Sequence, residues 1–266
     1  MLRDITLGQY YPADSVIHVL DPRTKLLGTF LFIISVFSFD NLIGFGVITL
    51  FMFGIIYLSK VPLSFMVRGL RAIVVLLLIA GLFNLFLTPG RVLVSVWKVN
   101  ITIEGLKKAT LMTVRMIYLI IGTSVMTLTT TPNQLTDGLE KGLRGLNQIK
   151  IPVHEIAMMM SIALRFIPIL IEETDKIMKA QMARGADFES GGLIKKAKNM
   201  IPLLVPLFVS AFRRANDLAL AMEARCYVGG DGRTKMKPLV YQKRDYVGYG
   251  IVTAYFVIVL LIKILM

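Results

Sequence analysis

The sequence has few of the residues that metal proteins and disulfide-rich folds depend on. Its 266 residues include one cysteine, Cys226, and two histidines, His18 and His154. A single cysteine forms no intramolecular disulfide and no cysteine-based metal site, and two histidines argue against a histidine-rich metal or proton relay. Charged residues are also scarce, at 18% against about 25% in soluble domains. We therefore expect neither a metal site nor a cofactor, and an ordinary soluble enzyme is disfavoured.

The charges that are present are mostly positive. There are 30 Lys and Arg against 17 Asp and Glu, a net charge of +13, in a chain that is 55% apolar. A nucleic-acid-binding protein would explain the charge but not the apolar content. A helical membrane protein with basic cytoplasmic segments explains both. We therefore predict that the chain lies in a lipid bilayer and binds no nucleic acid.

Five apolar segments are predicted to cross the membrane, where a helix needs about 20 residues. The first 25 residues carry several charges and no long apolar run, so we expect no cleaved signal peptide and a first span that also targets the chain. That span begins at Asp21-Pro22, an N-cap followed by a first-turn proline. The predicted spans are 21–39, 42–58, 72–87, 109–130 and 246–266, with a turn at 40–41 and a polar connection over 91–108.

The basic residues favour one orientation of these spans. With the N-terminus inside, 24 of the 30 basic residues lie on the cytoplasmic side, as the positive-inside rule expects. This count includes Arg23 and Lys25 at the cytoplasmic start of the first span. The predicted organisation is an N-terminal membrane region with four spans (1–131), a long helical region that is cytoplasmic and partly membrane-embedded (132–245), and a C-terminal span (246–266).

The middle region is predicted to contain one short and two long helices. Thr131-Pro132 is a start signal for a short surface helix. A longer helix starts at Pro152, is apolar at first and then amphipathic. The apolar stretch Ile201–Phe212 and the amphipathic portion after it belong to a second helix of the same kind. Prolines inside a helix kink it. Kinks are predicted at Pro168, Pro202 and Pro206.

Both long helices end in an arginine between small residues. The tripeptides are Ala183-Arg184-Gly185 and Ala224-Arg225-Cys226, 41 residues apart. An arginine in a last helical turn also complements the helix dipole, so a purely structural role stays open for each. Repetition in the same context favours a function, in which an unobstructed guanidinium enters an acidic groove of another protein.

These tripeptides, together with Asp21-Pro22-Arg23-Thr24-Lys25-Leu26-Leu27, resemble the EcfT family. EcfT is the transmembrane T component of energy-coupling-factor transporters, the vitamin-importing branch of the ABC systems. The resemblance covers essentially the whole chain, and its most specific elements are the two arginine tripeptides. Cys226 departs from the A-R-G pattern of the family, which puts a glycine-specific backbone role there in question.

The resemblance implies a non-enzymatic coupling subunit in a prokaryotic plasma membrane. Two cytoplasmic ABC ATPases would dock at the tripeptides around Arg184 and Arg225. The long helices would pass their motion to a small membrane S component that binds the vitamin. The chain contains no G-x-x-x-x-G-K-[ST] phosphate loop, so ATP hydrolysis would belong to partner chains.

Two other functions stay open. An integral-membrane enzyme acting on a lipid or prenyl substrate would need paired acidic residues, and Glu172-Glu173 is the only adjacent pair. A secondary transporter would need a polar site at the membrane midplane and paired repeats of spans. Arg115 and Arg165 lie in apolar segments; each fits a functional site, an interfacial position or a bond to a facing helix equally well.

Overall fold

The structure, a computed structural model, is almost entirely helical. It describes residues 9–39, 42–71, 73–96, 99–188, 192–230, 236 and 238–265. The predicted all-α class is confirmed; a two-stranded hairpin is the one addition in the described ranges. The elements are α1 (Val16–Val19), α2 (Pro22–Ser38), α3 (Leu42–Ser59), α4 (Leu63–Arg71), α5 (Val74–Leu87), β1 (Val92–Val96), β2 (Val99–Thr102), α6 (Ile103–Thr129), α7 (Pro132–Gly142), a 3₁₀ helix (Arg144–Ile149), α8 (Val153–Ala183), α9 (Leu193–Glu223) and α10 (Lys243–Leu265).

The helices divide into two compact units. The bundle unit contains the described residues up to Gly138 and those from Leu239 onward. The long-helix unit contains the described residues from Leu139 to Pro238. The predicted division of the chain at residues 131 and 245 concerns the membrane topology and stays a prediction.

The bundle unit has a small apolar core and a largely apolar surface. Helices α2, α3, α4, α6 and α10 contribute the core, whose fully buried members include Val36, Ile48, Met66 and Val259. Many large apolar side chains on the outer faces of α3, α5 and α10 are exposed instead of packed. Soluble monomers rarely expose so many large apolar side chains on neighbouring faces, and such faces suit contact with lipid or protein. The chain is a helical membrane protein.

Three described helices are long and apolar enough to cross a bilayer, namely α6, α8 and α10. The helices α3 and α5 are apolar but shorter. Of the five predicted spans, the two that correspond to α6 and α10 therefore reach the length of a full span. Helix α8 was expected to be only partly embedded, but it is also long enough to cross the bilayer. The number of spans remains a prediction.

Helix α6 begins earlier than predicted. Residues 91–108 were expected to be a polar connection, but β1 and β2 pair as an antiparallel hairpin and α6 starts at Ile103. The Thr102 hydroxyl accepts a hydrogen bond from Gly105 N at 3.0 Å and donates one to Thr88 O at 2.9 Å. This side-chain cap satisfies an orphan N–H of the first turn and places the helix start at the strand end.

Two further helix starts agree with their sequence signals. Asp21 caps α2 by accepting from Arg23 N at 2.9 Å, and Pro22 is the first helical residue. Thr131 and Gln134 form a reciprocal capping box at the start of α7, with N···O distances of 3.1 and 3.3 Å. Such a box satisfies two backbone donors at once.

Candidate functional site

The long-helix unit is built on α8 and α9, each of 31 residues, which pack against each other. Both helices run through their prolines without a break: Pro168 lies inside α8, and Pro202 and Pro206 lie inside α9. The predicted kinks at these three positions remain predictions. The long helices carry the predicted docking residues at their C-terminal ends.

Helix α8 ends in a Schellman motif. Gly185 N donates to Met182 O at 2.9 Å, and Ala186 N donates to Gln181 O at 3.0 Å. Gly185 has a φ of +89°, the left-handed conformation that this motif requires and that glycine adopts most easily. Arg184 is therefore the last residue before the chain reverses away from the helix.

Helix α9 ends in the same hydrogen-bond pattern. Cys226 N donates to Glu223 O at 2.9 Å, and Tyr227 N donates to Met222 O at 3.1 Å. Cys226 has a φ of +54°, so it takes the position that Gly185 takes in α8. The left-handed backbone expected of glycine is thus present at the second tripeptide, although its residue is cysteine.

All six residues of the two tripeptides are exposed, and they are Ala183, Arg184, Gly185, Ala224, Arg225 and Cys226. Each arginine offers five N–H donors in a planar fork that suits carboxylates. Since its flanking side chains are small, each guanidinium is accessible from the solvent side. In this geometry the two guanidinium groups can bind acidic groups of another protein.

An open apolar groove runs along α9 before its tip. Phe208 and Phe212, which are 62% and 70% exposed, form much of its wall. Its lining residues are Val205, Phe208, Val209, Phe212, Arg213 and Asn216. Exposed aromatic and aliphatic side chains next to a basic rim are typical of surfaces that bind a partner.

Helix α8 is joined to α9 by an ion pair that no local sequence signal indicates. Arg214 Nη2 donates to Glu173 Oε2 at 3.0 Å. Glu173 belongs to the only adjacent acidic pair of the chain. Its carboxylate is thus engaged in a contact between helices.

A second polar contact in this unit lies at the start of α8. His154 Nδ1 and Glu140 Oε1 are 2.9 Å apart. The other side of the imidazole faces the segment that follows the α9 tip, where a Cβ on Gly230 would overlap His154 Cδ2. No sequence signal indicated that His154 lies beside Gly230, because these two residues are far apart in the chain.

The predicted N-terminal motif lies in the bundle unit. Arg23 forms a two-pronged pair with Asp21, with N···O distances of 3.0 and 2.9 Å. The Arg23 guanidinium also lies over the Tyr241 ring, 3.7 Å from its centroid, as a cation–π contact. Burial raises the pKa of Tyr241 to about 12, and its hydroxyl is 3.1 Å from that of Tyr249.

Lys25 and Asp245 complete this cluster. Lys25 Nζ donates to His18 O at 3.1 Å and to Thr129 O at 2.8 Å, which links α2 to the ends of α1 and α6. Asp245 Oδ1 accepts from Asp21 N at 2.8 Å. Pro22 is buried, and a Cβ on Gly138 would lie 2.8 Å from it. The motif Asp21, Pro22, Arg23 and Lys25 therefore holds helices of the bundle unit together.

The two arginines of apolar segments differ in their surroundings. Arg115 Nη2 donates to Phe39 O, the carbonyl at the C-terminal end of α2, at 2.6 Å. Of the roles left open for Arg115, the bond to a facing helix is thus the one observed. Arg165 is exposed on α8. The described residues contain no group of three or more His, Cys, Asp or Glu placed to hold a metal ion.

Comparison with known proteins agrees with these features over nearly the whole chain. The family model described as "CbiQ: Cobalt transport protein" matches residues 13–236. The energy-coupling factor transporter transmembrane protein EcfT of Thermosediminibacter oceani is 52% identical over 248 residues, which cover 93% of this chain and 94% of the relative. The chain belongs to the CbiQ/EcfT family. The EcfT proteins of Ruminiclostridium cellulolyticum and Bacillus subtilis are 49% and 48% identical, covering 99% and 92% of this chain and 98% and 93% of the relatives.

Membership of the EcfT family makes the chain a transmembrane component of a transporter. The resemblance stated from the sequence is thereby confirmed. The roles of the individual residues rest on the geometry described above and are proposals.

Proposed function

We propose that this chain is the coupling subunit of an ATP-driven, ECF-type importer. Two cytoplasmic ATPase subunits dock at the tripeptides around Arg184 and Arg225, and the chain itself hydrolyses no ATP. The long helices transmit the ATP-driven motion to a small membrane S component that binds a vitamin or another micronutrient. In this proposal the chain is a multi-pass protein of a prokaryotic plasma membrane, with its N-terminus and most of the long-helix unit in the cytoplasm.

The observation that carries the proposal is the equivalence of the two helix tips. Both end in the same pair of hydrogen bonds, both have a left-handed residue after the arginine, and both arginines are exposed. A single arginine at a helix end is explained by the helix dipole. Two helix ends with the same geometry are expected to bind two partners with similar surfaces, and a pair of related ATPases has such surfaces.

The groove on α9 supports the second half of the proposal. Its exposed phenylalanines, Phe208 and Phe212, lie ahead of the tip on the same helix. An apolar wall of this kind suits the apolar surface of another membrane protein. We assign this groove to the S component.

Charge reversal at both tips tests the docking role. The double variant Arg184→Glu and Arg225→Glu is expected to lose co-purification with the co-expressed ATPase pair. Each central contact of this type is worth about 2 kcal/mol or more, roughly a 30-fold loss of affinity. Insertion into the membrane fraction should be unchanged, since both arginines are exposed.

The matched control changes the same number of charges away from the tips. Lys179→Glu with Lys198→Glu alters two exposed basic residues of the long helices and should leave co-purification intact. Undiminished assembly of the tip variant would refute the docking role. Equal loss in both variants would show that net charge alone decides assembly.

A further inference from the structure

The contact between α8 and α9 occurs at equivalent positions of a repeat. The ion pair joins Glu173 to Arg214, residues 41 apart in the sequence. The tip arginines, Arg184 and Arg225, are also 41 residues apart. Each member of the ion pair therefore lies 11 residues before its own tip (184 − 173 and 225 − 214).

The aligned charges are opposite in sign. When α8 is aligned with α9 at this offset and without gaps, Glu172-Glu173 falls on Arg213-Arg214. A strict repeat would place like charges at the point where the helices meet, and these would repel. Because α8 carries an acidic pair where α9 carries a basic pair, the side chains that meet at these equivalent positions attract each other.

We propose that the Glu173–Arg214 ion pair fixes the register in which α8 and α9 meet, and with it the distance between the two arginine tips. Eleven helical residues correspond to about 16 Å of helix on each side. Two similar partner subunits present two similar grooves at a set spacing, so both tips must be held at matching distances from the contact. Glu173 and Arg214 are positioning residues in this scheme, which rests on the proposed docking of two ATPases.

Neighbouring charges disfavour a shifted register. Lys176 lies three residues beyond Glu173 on α8, and Asp217 lies three residues beyond Arg214 on α9. A slide by one turn brings Arg214 toward Lys176, or Glu173 toward Asp217. Like charges at a contact cost free energy, so the observed register is favoured both by attraction and by repulsion in the alternatives.

The contact between Glu173 and Arg214 is partly withdrawn from solvent. Arg214 Nε is buried and has no hydrogen-bond partner among the described residues. The side chains of Arg214 and Glu173 are 37% and 25% exposed, so the pair is partly shielded from solvent. Shielding makes an ion pair more sensitive to geometry than a fully exposed one.

A distance measurement on the full-length chain tests the proposal without any partner. Cys226 is the only cysteine and lies at the α9 tip, so Ala186→Cys supplies a second label site beside the α8 tip. Pulsed electron spin resonance between nitroxide labels at these sites then reports the spacing of the tips. Glu173→Arg and Arg214→Glu, each alone, place like charges at the contact and are expected to broaden the distribution or move its mean by about 5 Å, one helical turn.

The exchanged double variant and a neighbouring control decide the outcome. Glu173→Arg with Arg214→Glu restores opposite charges and should restore the original distance, while Lys179→Glu, at an exposed residue of α8 outside the contact, should leave it unchanged. Restoration also excludes simple misfolding as the cause of the single-variant effect. Unchanged distances in both single variants, or a failure of the exchanged pair to restore the distance, would overturn the proposal.

A second readout separates this proposal from the docking of ATPases. With unlabelled protein, each single reversal should reduce recovery of the ATPase pair about fivefold, and the exchanged pair should recover it. If the distances respond but recovery of the ATPases does not, the register role holds and the proposed function fails. If the distances do not respond, the register role fails whatever the assembly shows.

Discussion

Cys226 and Gly185 occupy the same place in two helix ends, and only one of them is a glycine. Both have positive φ, +54° and +89°, and both donate the inner hydrogen bond of a Schellman motif. For a residue with a Cβ, this conformation costs about 1 kcal/mol. The α9 tip therefore keeps its geometry at some cost, because its helix end imposes the left-handed backbone.

Replacement of Cys226 by glycine should stabilise the α9 tip. The expected gain is about 0.5–1 kcal/mol locally, since glycine adopts positive φ freely but loses more entropy on folding. Hydrogen–deuterium exchange of the peptide that spans Arg225 should slow severalfold. The reciprocal change Gly185→Cys should speed exchange at the α8 tip. Faster exchange in Cys226→Gly would contradict this account.

The arginines of the chain have different roles that depend on their surroundings. Arg23 is held by Asp21 and Tyr241, and Arg214 is held by Glu173. Arg184 and Arg225 are exposed at helix ends. A guanidinium already held by a carboxylate has donors committed within the chain, whereas an exposed one at a helix tip is accessible to a partner.

At the scale of elements, the end of α9 depends on more than its own sequence. The segment after the tip passes the His154 ring, and Gly230 leaves no room for a side chain there. His154 is in turn paired with Glu140. The start of α8 therefore packs against the segment that follows the end of α9, within one unit.

Gly230→Ala should displace the segment after the α9 tip. A Cβ would overlap His154 Cδ2, and overpacking of this kind costs about 1–3 kcal/mol. A double-mutant cycle with His154→Ala, read by thermal unfolding in detergent, should show that the two changes together cost less than their sum. Gly145→Ala, at an exposed glycine where the added Cβ meets nothing within 4 Å, is the control and should not lower the melting temperature. Additive costs would rule out the contact.

At the scale of the whole molecule, distant parts of the chain close the bundle unit. Asp245, near the start of the last helix, is 2% exposed and accepts from Asp21 N and Gln242 N, both at 2.8 Å. Lys25 joins the same region to Thr129 O at the end of α6. Residues separated by 224 positions are thus held in one hydrogen-bonded cluster.

Asp245→Ala should destabilise the bundle unit strongly. The change leaves the N–H groups of Asp21 and Gln242 without their acceptor. The Asp21 N–H is buried, and a buried unpaired donor costs about 1–3 kcal/mol. The melting temperature in detergent should fall clearly. Asp245→Asn keeps one acceptor oxygen, so its melting temperature should fall by less. An unchanged melting temperature in Asp245→Ala would show that water replaces the carboxylate.

Much of the helical organisation was predictable because its signals are local. Asp21-Pro22 and Thr131-Pro132 marked helix starts that the structure contains, since capping depends on residues within one turn. The start of α6 was placed too late, because its cap uses Thr102 at the end of a strand. The segment before α6 was predicted to be a polar connection, and its β-hairpin was not predicted.

The sequence by itself determined the membrane class, the long helices and the two arginine tripeptides, because composition, periodicity and local spacing are properties of neighbouring residues. The tertiary structure decided which side chains meet: Glu173 with Arg214, and Asp245 with Asp21. These contacts depend on how helices pack after the chain has folded, and no local pattern encodes them. It also decided that Cys226 adopts the backbone of a glycine, because the hydrogen bonds of the helix end outweigh the preference of one residue.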